Sequence, residues 1–339
     1  MNIVMSKWLN KALNERWRRK LETKNLLARL VELFIFPFLK GREGRQRKYW
    51  RDKELPYRPV FIIGAPRSGS TLLYQLLVNR FECLYINNFT HIFARALFTG
   101  FTLFNRWFRV RRSMPLRSNF GETQEAGWNG PSECARFWYY YLPKEGQPLE
   151  LTEVTSETKL FYSDYINGLI KKYNKPFVFK NLSNGLRVEF LEETLPQSFY
   201  IYIKRAPYYV AQSIYLARKK KGISRKEWWS LRVPDYEKLL GKSQMEIAVA
   251  QTYFTEVAIN KQVEQLNNSQ WISIDYKSVV CNPYETIEKI NKKIDLGKAV
   301  GNLNKEEIYN GNHSKLSQKE IEELEHYLRK YYGEEAKFK

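Results

Sequence analysis

The stretch that decides the fold is Val60–Arg80, VFIIGAPRSGSTLLYQLLVNR. Val60–Ile63 is a short apolar, β-branched run, the pattern of a buried strand. Gly64-Ala-Pro-Arg-Ser-Gly69 turns the chain, and Ser70-Thr71 opens a helix with Leu72, Leu73, Leu76 and Leu77 at helical spacing. A strand, a glycine-bearing turn and a helix N-terminus make an anion cradle, because the helix's free N–H groups and its dipole point into the turn. The turn departs from G-x-x-x-x-G-K-[ST] at one position: Ser70 stands where that motif has Lys, and the cation sits at Arg67. A nucleotide-hydrolysing loop needs that Lys on the β- and γ-phosphates. The reading is therefore a phosphate cradle outside the NTPases.

Working outward, a second strand-to-helix corner lies in FYIYIKRAPYYVAQSIYLAR, with Arg205, then Pro207, then Ser213 eight residues after the Arg. A guanidinium and a hydroxyl at that spacing can meet on one phosphate, and Arg can bind it bidentately. PRSGST and the Arg205–Ser213 corner, in this order and each after a strand, resemble the sulfotransferases that use 3′-phosphoadenosine 5′-phosphosulfate (PAPS). The resemblance covers about Pro59 to Pro283 and implies a P-loop-like α/β fold. It assigns Arg67, Ser68, Gly69, Ser70 and Thr71 to the 5′-phosphosulfate, and Arg205 and Ser213 to the 3′-phosphate. It implies sulfuryl transfer to a hydroxyl or amine, with 3′,5′-ADP as product and no metal required. Family members close a C-terminal loop over the 3′-phosphate, for which Asn310–Lys315 is the candidate.

The general base follows less directly. Aryl and steroid sulfotransferases carry Lys-x-His after a central strand, and this chain has Lys180-Asn181-Leu182, so the His is missing. The chain looks similar to bacterial members with a P-x-E segment between the two phosphate motifs, here Gly130-Pro-Ser-Glu133-Cys-Ala-Arg-Phe-Trp138. That resemblance makes Glu133 the expected base, ahead of Glu125, Glu122 and His91. Lys180 is expected to serve the leaving group or the sulfuryl oxygens, and Asn181 to orient donor or acceptor.

Over 339 residues, Lys and Arg number 56 and Asp and Glu 36, a net charge of +20. That balance favours anionic partners such as a nucleotide, a nucleic acid, a membrane surface or an acidic glycan. Three dispersed cysteines and three histidines without ligand spacing argue against a disulfide framework or a metal site and for a reducing, cytoplasmic setting. Strands alternate with helices across the chain, which predicts an α/β fold with a central, mostly parallel sheet flanked by helices. Ligands then bind at the carboxyl ends of the strands, where both motifs sit.

The chain divides into a basic helical extension (1–55), a catalytic domain (56–300) and a C-terminal loop and helix (301–339) packing on the same domain. In the extension, Leu26–Leu39 is apolar but interrupted by Arg29, Glu32 and Pro37. It is too short and too charged for the roughly 20 apolar residues of a membrane span. A helix packed on the domain and an amphipathic helix lying on a membrane surface both fit. Further elements are expected as a short strand within 81–89, helices over 89–110, from Ser132, and over 157–173, 208–221, 246–266 and 319–332, and strands at 177–180, 199–204 and 271–275. The acceptor is read as a carbohydrate or glycolipid, with no specific nucleic acid. Two other classes stay open: a P-loop kinase or NTPase, and a non-catalytic basic protein binding nucleic acid or membrane through the Trp- and Lys-rich stretch 219–232.

Overall fold

The computed structural model describes residues 20–108, 114–119, 121–143, 151, 154–303 and 308–334. Trp8, Leu9, Leu13 and Trp17 of the basic extension lie outside the described residues. The elements are α1 (Phe36–Arg51), β1 (Pro59–Ile63), α2 (Ser70–Arg80), β2 (Leu84–Tyr85), α3 (Leu97–Trp107), α4 (Ala135–Trp138), α5 (Ser156–Tyr173), β3 (Phe177–Lys180), α6 (Val188–Thr194), β4 (Phe199–Lys204), α7 (Pro207–Lys221), α8 (Gln244–Val263), β5 (Trp271–Asp275), α9 (Tyr276–Cys281), α10 (Pro283–Lys293) and α11 (Gln318–Tyr332).

The five strands form one sheet in the order β2-β3-β1-β4-β5, and every pairing is parallel. β1 is central and buried along its whole length. Its side chains alternate between two cores: Phe61 and Ile63 on one face, Val60 and Ile62 on the other. Helices cover both faces, which is why the strand reads as an unbroken apolar run. The register sets an aromatic row across the sheet. Phe61 pairs with Phe179 and Tyr200 on the neighbouring strands, and the rings stack at centroid distances of 5.3 and 5.7 Å.

Residues 20–51 form one helix in which Val31–Ile35 takes the wider π turn before α1. It is tied to the domain by charges rather than by apolar packing alone. Glu43 is buried, and its carboxylate accepts the N–H groups of Phe98 (3.1 Å) and Thr99 (2.9 Å) and the hydroxyls of Thr99 (2.6 Å) and Tyr165 (3.1 Å). α3 has no cap from its own sequence, so Glu43 caps it from another helix. Burial pushes the Glu43 carboxyl up, against the opposing pull of the Thr99, Phe98 and Tyr165 hydrogen bonds. At the far end Arg51 holds Asp164 of α5 through two bonds of 3.0 and 2.7 Å.

The cap also corrects the expected helix over 89–110. That stretch breaks into a 3₁₀ turn at Thr90–Phe93 and the separate α3, with Ala96 out of helical geometry between them. Residues 109 and 110 lie outside the described residues. The helix expected from Ser132 starts later, at Ala135, because the Ser132 hydroxyl accepts the Cys134 N–H (3.2 Å) and Cys134 turns left-handed at φ 43°. The other ends fall close to expectation where a cap signals them. Ser243 caps α8 through the Glu246 N–H, and Ser317 with Glu320 forms a capping box on α11.

Candidate active site

Three strand ends converge on a cleft of about 800 Å³ at the carboxyl edge of the sheet. β1 delivers the Gly64–Gly69 turn. Its backbone passes so near β4 that a Cβ on Gly64 would lie 2.7 Å from the Ile203 carbonyl oxygen. Gly69 is left-handed at φ 97°, and a Cβ there would meet the Tyr276 ring at 2.4 Å. No side chain caps α2, so its first N–H groups stay turned to the cleft that Ser70 and Thr71 line. Arg67 itself sits in left-handed backbone at φ 68°, a costly conformation for a side chain of its size. Ser68 is buried beneath the turn, and its hydroxyl meets no hydrogen-bond partner among the described residues.

β4 delivers Arg205. Its guanidinium donates to the Arg67 carbonyl (2.9 Å), the Gly311 carbonyl (2.8 Å) and Asn312 Oδ1 (2.9 Å), and lies over the Tyr276 ring at 4.3 Å. Pro207 opens α7 at its first turn, where a missing N–H is harmless. Ser213, on that helix, accepts from Arg67 Nε at 3.0 Å. The cations assigned to the two phosphates thus stand side by side, with Arg67 turned toward Ser213. Burial pulls both guanidinium groups below their ordinary range, and for Arg205 the nearby charge of Arg67 adds to it. The stretch Gly311–Lys315 closes this corner. Gln212 donates to the His313 carbonyl (3.0 Å) and accepts the Lys315 N–H (2.8 Å), and Gly311 donates to the Tyr276 hydroxyl (3.1 Å).

β3 delivers Lys180, whose side chain is 3% exposed and ion-paired with Glu133. Glu133 immediately precedes the left-handed Cys134, and its carbonyl accepts from Asn181 Nδ2 at 3.4 Å. The Asn181 side-chain oxygen is itself taken by the Ser183 N–H (3.0 Å), which fixes the amide. Gly121, at φ 92°, fills the space between the two halves. A Cβ on it would lie 3.0 Å from Glu133 Oε1, 3.7 Å from Thr71 Oγ1 and 3.8 Å from Lys180 Nζ. The carboxylate, the lysine and the N-terminus of α2 therefore border one small volume.

The alternative bases separate. Glu125 lines the cleft. Glu122 is drawn away to Lys24 (3.2 Å) and Gln124 (3.0 Å). His91 is buried behind Glu133 with Nδ1 on Ser132 Oγ at 2.8 Å, and burial holds it well below its usual range. Neither Glu122 nor His91 reaches the cleft. Sequence reasoning missed Tyr276, which floors the Gly69 turn, and Gly121. Tyr276 directly follows β5, so the strand-end rule that found Arg67 and Arg205 also points to it. Gly121 carries no local signal, because its importance comes from Glu133, Thr71 and Lys180 closing around it.

A parallel sheet with two phosphate-type corners, one of them a P-loop without its lysine, defines an α/β protein of the P-loop-like class. The sequence pattern of the sulfotransferase family matches residues 59–298. The chain belongs to that family, as the two motifs led us to expect. It is 24% identical over 261 residues to the omega-hydroxy-beta-dihydromenaquinone-9 sulfotransferases Stf3 of Mycobacterium bovis and Mycobacterium tuberculosis, a match covering 70% of this chain. It spans 63% of the length of those relatives. In three dimensions it is similar to the crystal structure of sulfotransferase STF1 from Mycobacterium tuberculosis, with a TM-score of 0.51 at 16% identity, covering 87% of this chain and 82% of the other. That likeness shows the fold.

Proposed function

We propose that the protein transfers the sulfuryl group of PAPS to a hydroxyl or amine of an acceptor and releases 3′,5′-ADP. The observation that carries this reading is the cleft in which an uncapped helix N-terminus and two half-buried arginines face an ion-paired carboxylate and lysine. The first group suits a ligand with two anionic phosphate centres. The second suits proton removal beside a developing negative charge.

In this reading Arg67, Ser68, Gly69, Ser70 and Thr71 hold the 5′-phosphosulfate, and Arg205 and Ser213 hold the 3′-phosphate. Glu133 takes the proton of the acceptor as its oxygen or nitrogen bonds to sulfur. The sulfur–oxygen bond to the phosphate breaks, and the leaving charge is met by Arg67 and the α2 N-terminus. Lys180, fixed by Glu133, presents its charge to the sulfuryl oxygens, and Asn181 holds the Glu133 backbone. Charge neutralisation is assigned to these groups and to no metal ion. The segments 1–55 and 301–339 act with the 56–300 domain as one catalytic unit, on the cytoplasmic side and in peripheral contact with a membrane. Three free cysteines agree with that compartment. For the acceptor we favour a hydroxyl carried on a lipid, glycolipids included. Leu72 and Leu116 give the cleft an apolar wall, and the Stf3 relatives are named for a menaquinone derivative.

The test is a melting-temperature titration with 3′,5′-ADP and no added metal. A ligand that binds only the folded state raises the transition. We expect a clear rise for the wild type, largely lost in Arg67→Ala and Arg205→Ala and kept in Glu133→Gln. No rise for the wild type would overturn the assignment and favour a basic binding protein. A rise that needs ATP with Mg²⁺ would favour a kinase or NTPase.

A further inference from the structure

The helix over residues 20–51 is turned inside out. Its buried residues include a lysine and a glutamate, while large apolar side chains stand in solvent. Lys24 and Glu43 are each 2% exposed, whereas Leu26 is 57%, Leu30 42%, Leu33 67%, Phe34 60% and Phe38 86% exposed. Positions 26, 30, 33, 34 and 38 recur at helical spacing and make one outward stripe. The wider turn at Val31–Ile35 keeps Phe34 and Phe38 on the side of Leu26 and Leu30. The orientation is enforced from beneath. Lys24 donates to Asn88 (3.2 Å) and Glu122 (3.2 Å), Glu32 pairs with Arg95 (2.7 Å) and Arg136, and Glu43 caps α3. Rotating the stripe inward would break each of these buried or half-buried bonds.

Two further observations bear on what the stripe meets. Its surroundings are basic: Arg29 lies within its span, and Arg42, Arg45 and Lys48 follow it, all exposed. Trp107 and Trp128 stand 62% and 38% exposed, with rings 6.3 and 6.1 Å from that of Phe89. Phe89 adjoins Asn88, which Lys24 holds. An apolar helical stripe, a rim of tryptophan and a fringe of cations together match the chemistry of an anionic bilayer surface, in which acyl chains lie beneath negative headgroups.

We infer that this face docks on an anionic phospholipid bilayer and brings the acceptor side of the cleft to the membrane. The link to the cleft is short. Lys24 is bonded to Glu122, and the adjacent Gly121 packs against Glu133 and Lys180. The inference deepens the lipid-borne acceptor proposed above and rests on that reading only for its purpose. Docking itself needs neither donor nor turnover.

The experiment is vesicle co-sedimentation of the full chain with phosphatidylcholine vesicles, with and without phosphatidylglycerol. Three proteins are compared: wild type, a variant combining Leu30→Gln, Leu33→Gln, Phe34→Gln and Phe38→Gln, and a variant combining Arg42→Glu and Arg45→Glu. We expect the wild type to sediment with the anionic vesicles in a salt-sensitive way, and both variants to bind about tenfold more weakly or less. The melting-temperature rise with 3′,5′-ADP reports folding and the donor site separately, so a loss of docking with that rise intact supports the inference. Equal sedimentation of wild type and the apolar variant would overturn it and assign membrane binding to another part of the chain. A wild type that ignores vesicles would also overturn it, as would a wild-type dimer that the apolar variant dissolves, since a second copy then covers the stripe.

Discussion

The corner we assign to the donor and the side of the cleft we assign to the acceptor are built in opposite ways. The donor corner consists of backbone groups and arginines on two adjacent strand ends, with Arg67 and Arg205 each within a few residues of a strand. The acceptor side is assembled from Lys180 on β3 and from an irregular path that meets it through left-handed Gly121 and Cys134. Adjacent strands of a parallel sheet set the donor corner's geometry automatically. The acceptor side has no such frame and relies on an ion pair and two unusual backbone turns. The first arrangement suits a donor of fixed chemistry, and the second is where family members can differ in acceptor.

The sharpest way to break this division is Glu133→Gln. We expect turnover of PAPS with a hydroxylated lipid to fall by about 10²- to 10⁴-fold, the usual contribution of a general base. Calorimetry should give unchanged 3′,5′-ADP affinity. A loss of nucleotide binding as well would place Glu133 in the donor half and erase the distinction. Arg205→Ala should act the other way, weakening 3′,5′-ADP about 10- to 100-fold, the worth of a charge-assisted bond or two. Arg205→Lys should recover only part, because the ammonium cannot reproduce the fork that now reaches Arg67, Gly311 and Asn312.

A pair of glycine replacements sharpens the comparison further. In Gly69→Ala the new methyl meets the Tyr276 ring, so stability in urea should drop by about 1–3 kcal/mol together with nucleotide affinity. In Gly121→Ala the methyl presses on Glu133, so kcat should fall while 3′,5′-ADP binding stays. The smallest effect is expected outside both halves, at Glu256. It is half-buried against the Tyr332 hydroxyl (2.7 Å), and burial raises its carboxyl to about 7. Its favourable contribution is full at acid pH and disappears as pH rises through 7, where the native state must carry the charge. Glu256→Gln should therefore gain stability over wild type above neutral pH, on the order of 1 kcal/mol at this partly exposed site, and match it only below the ordinary carboxylate value of 4.5. Thermal melts across that range check it, and turnover should not change.

Much of the donor corner was legible because its signals are local. Val60–Ile63, the Gly64–Gly69 turn, Arg205 and Pro207 each act within their own segment. The helix starts expected at 246 and 319 fall within two residues of the observed starts, where Ser243 and Ser317 cap α8 and α11, because caps work over one turn. Glu133 and Lys180 were singled out separately, and nothing local says that they touch. The break at Ala96 was hidden because its cause is Glu43, on a different helix. The outward stripe of residues 26–38 was hidden for the same reason. Its apolar spacing fits a buried face as well as an exposed one, and the choice is made by bonds to Asn88, Glu122, Phe98 and Thr99 far along the chain.

By itself, then, the sequence determined a parallel α/β sheet and two strand-to-helix corners that each carry an arginine, because backbone propensity, turn chemistry and helix dipoles are short-range. Only the tertiary structure decided which carboxylate meets Lys180, that Glu122 and His91 stand aside, and which face of the first helix meets solvent. Each of those depends on buried charges that find partners only when distant segments come together, and a buried charge without its partner is too costly to remain.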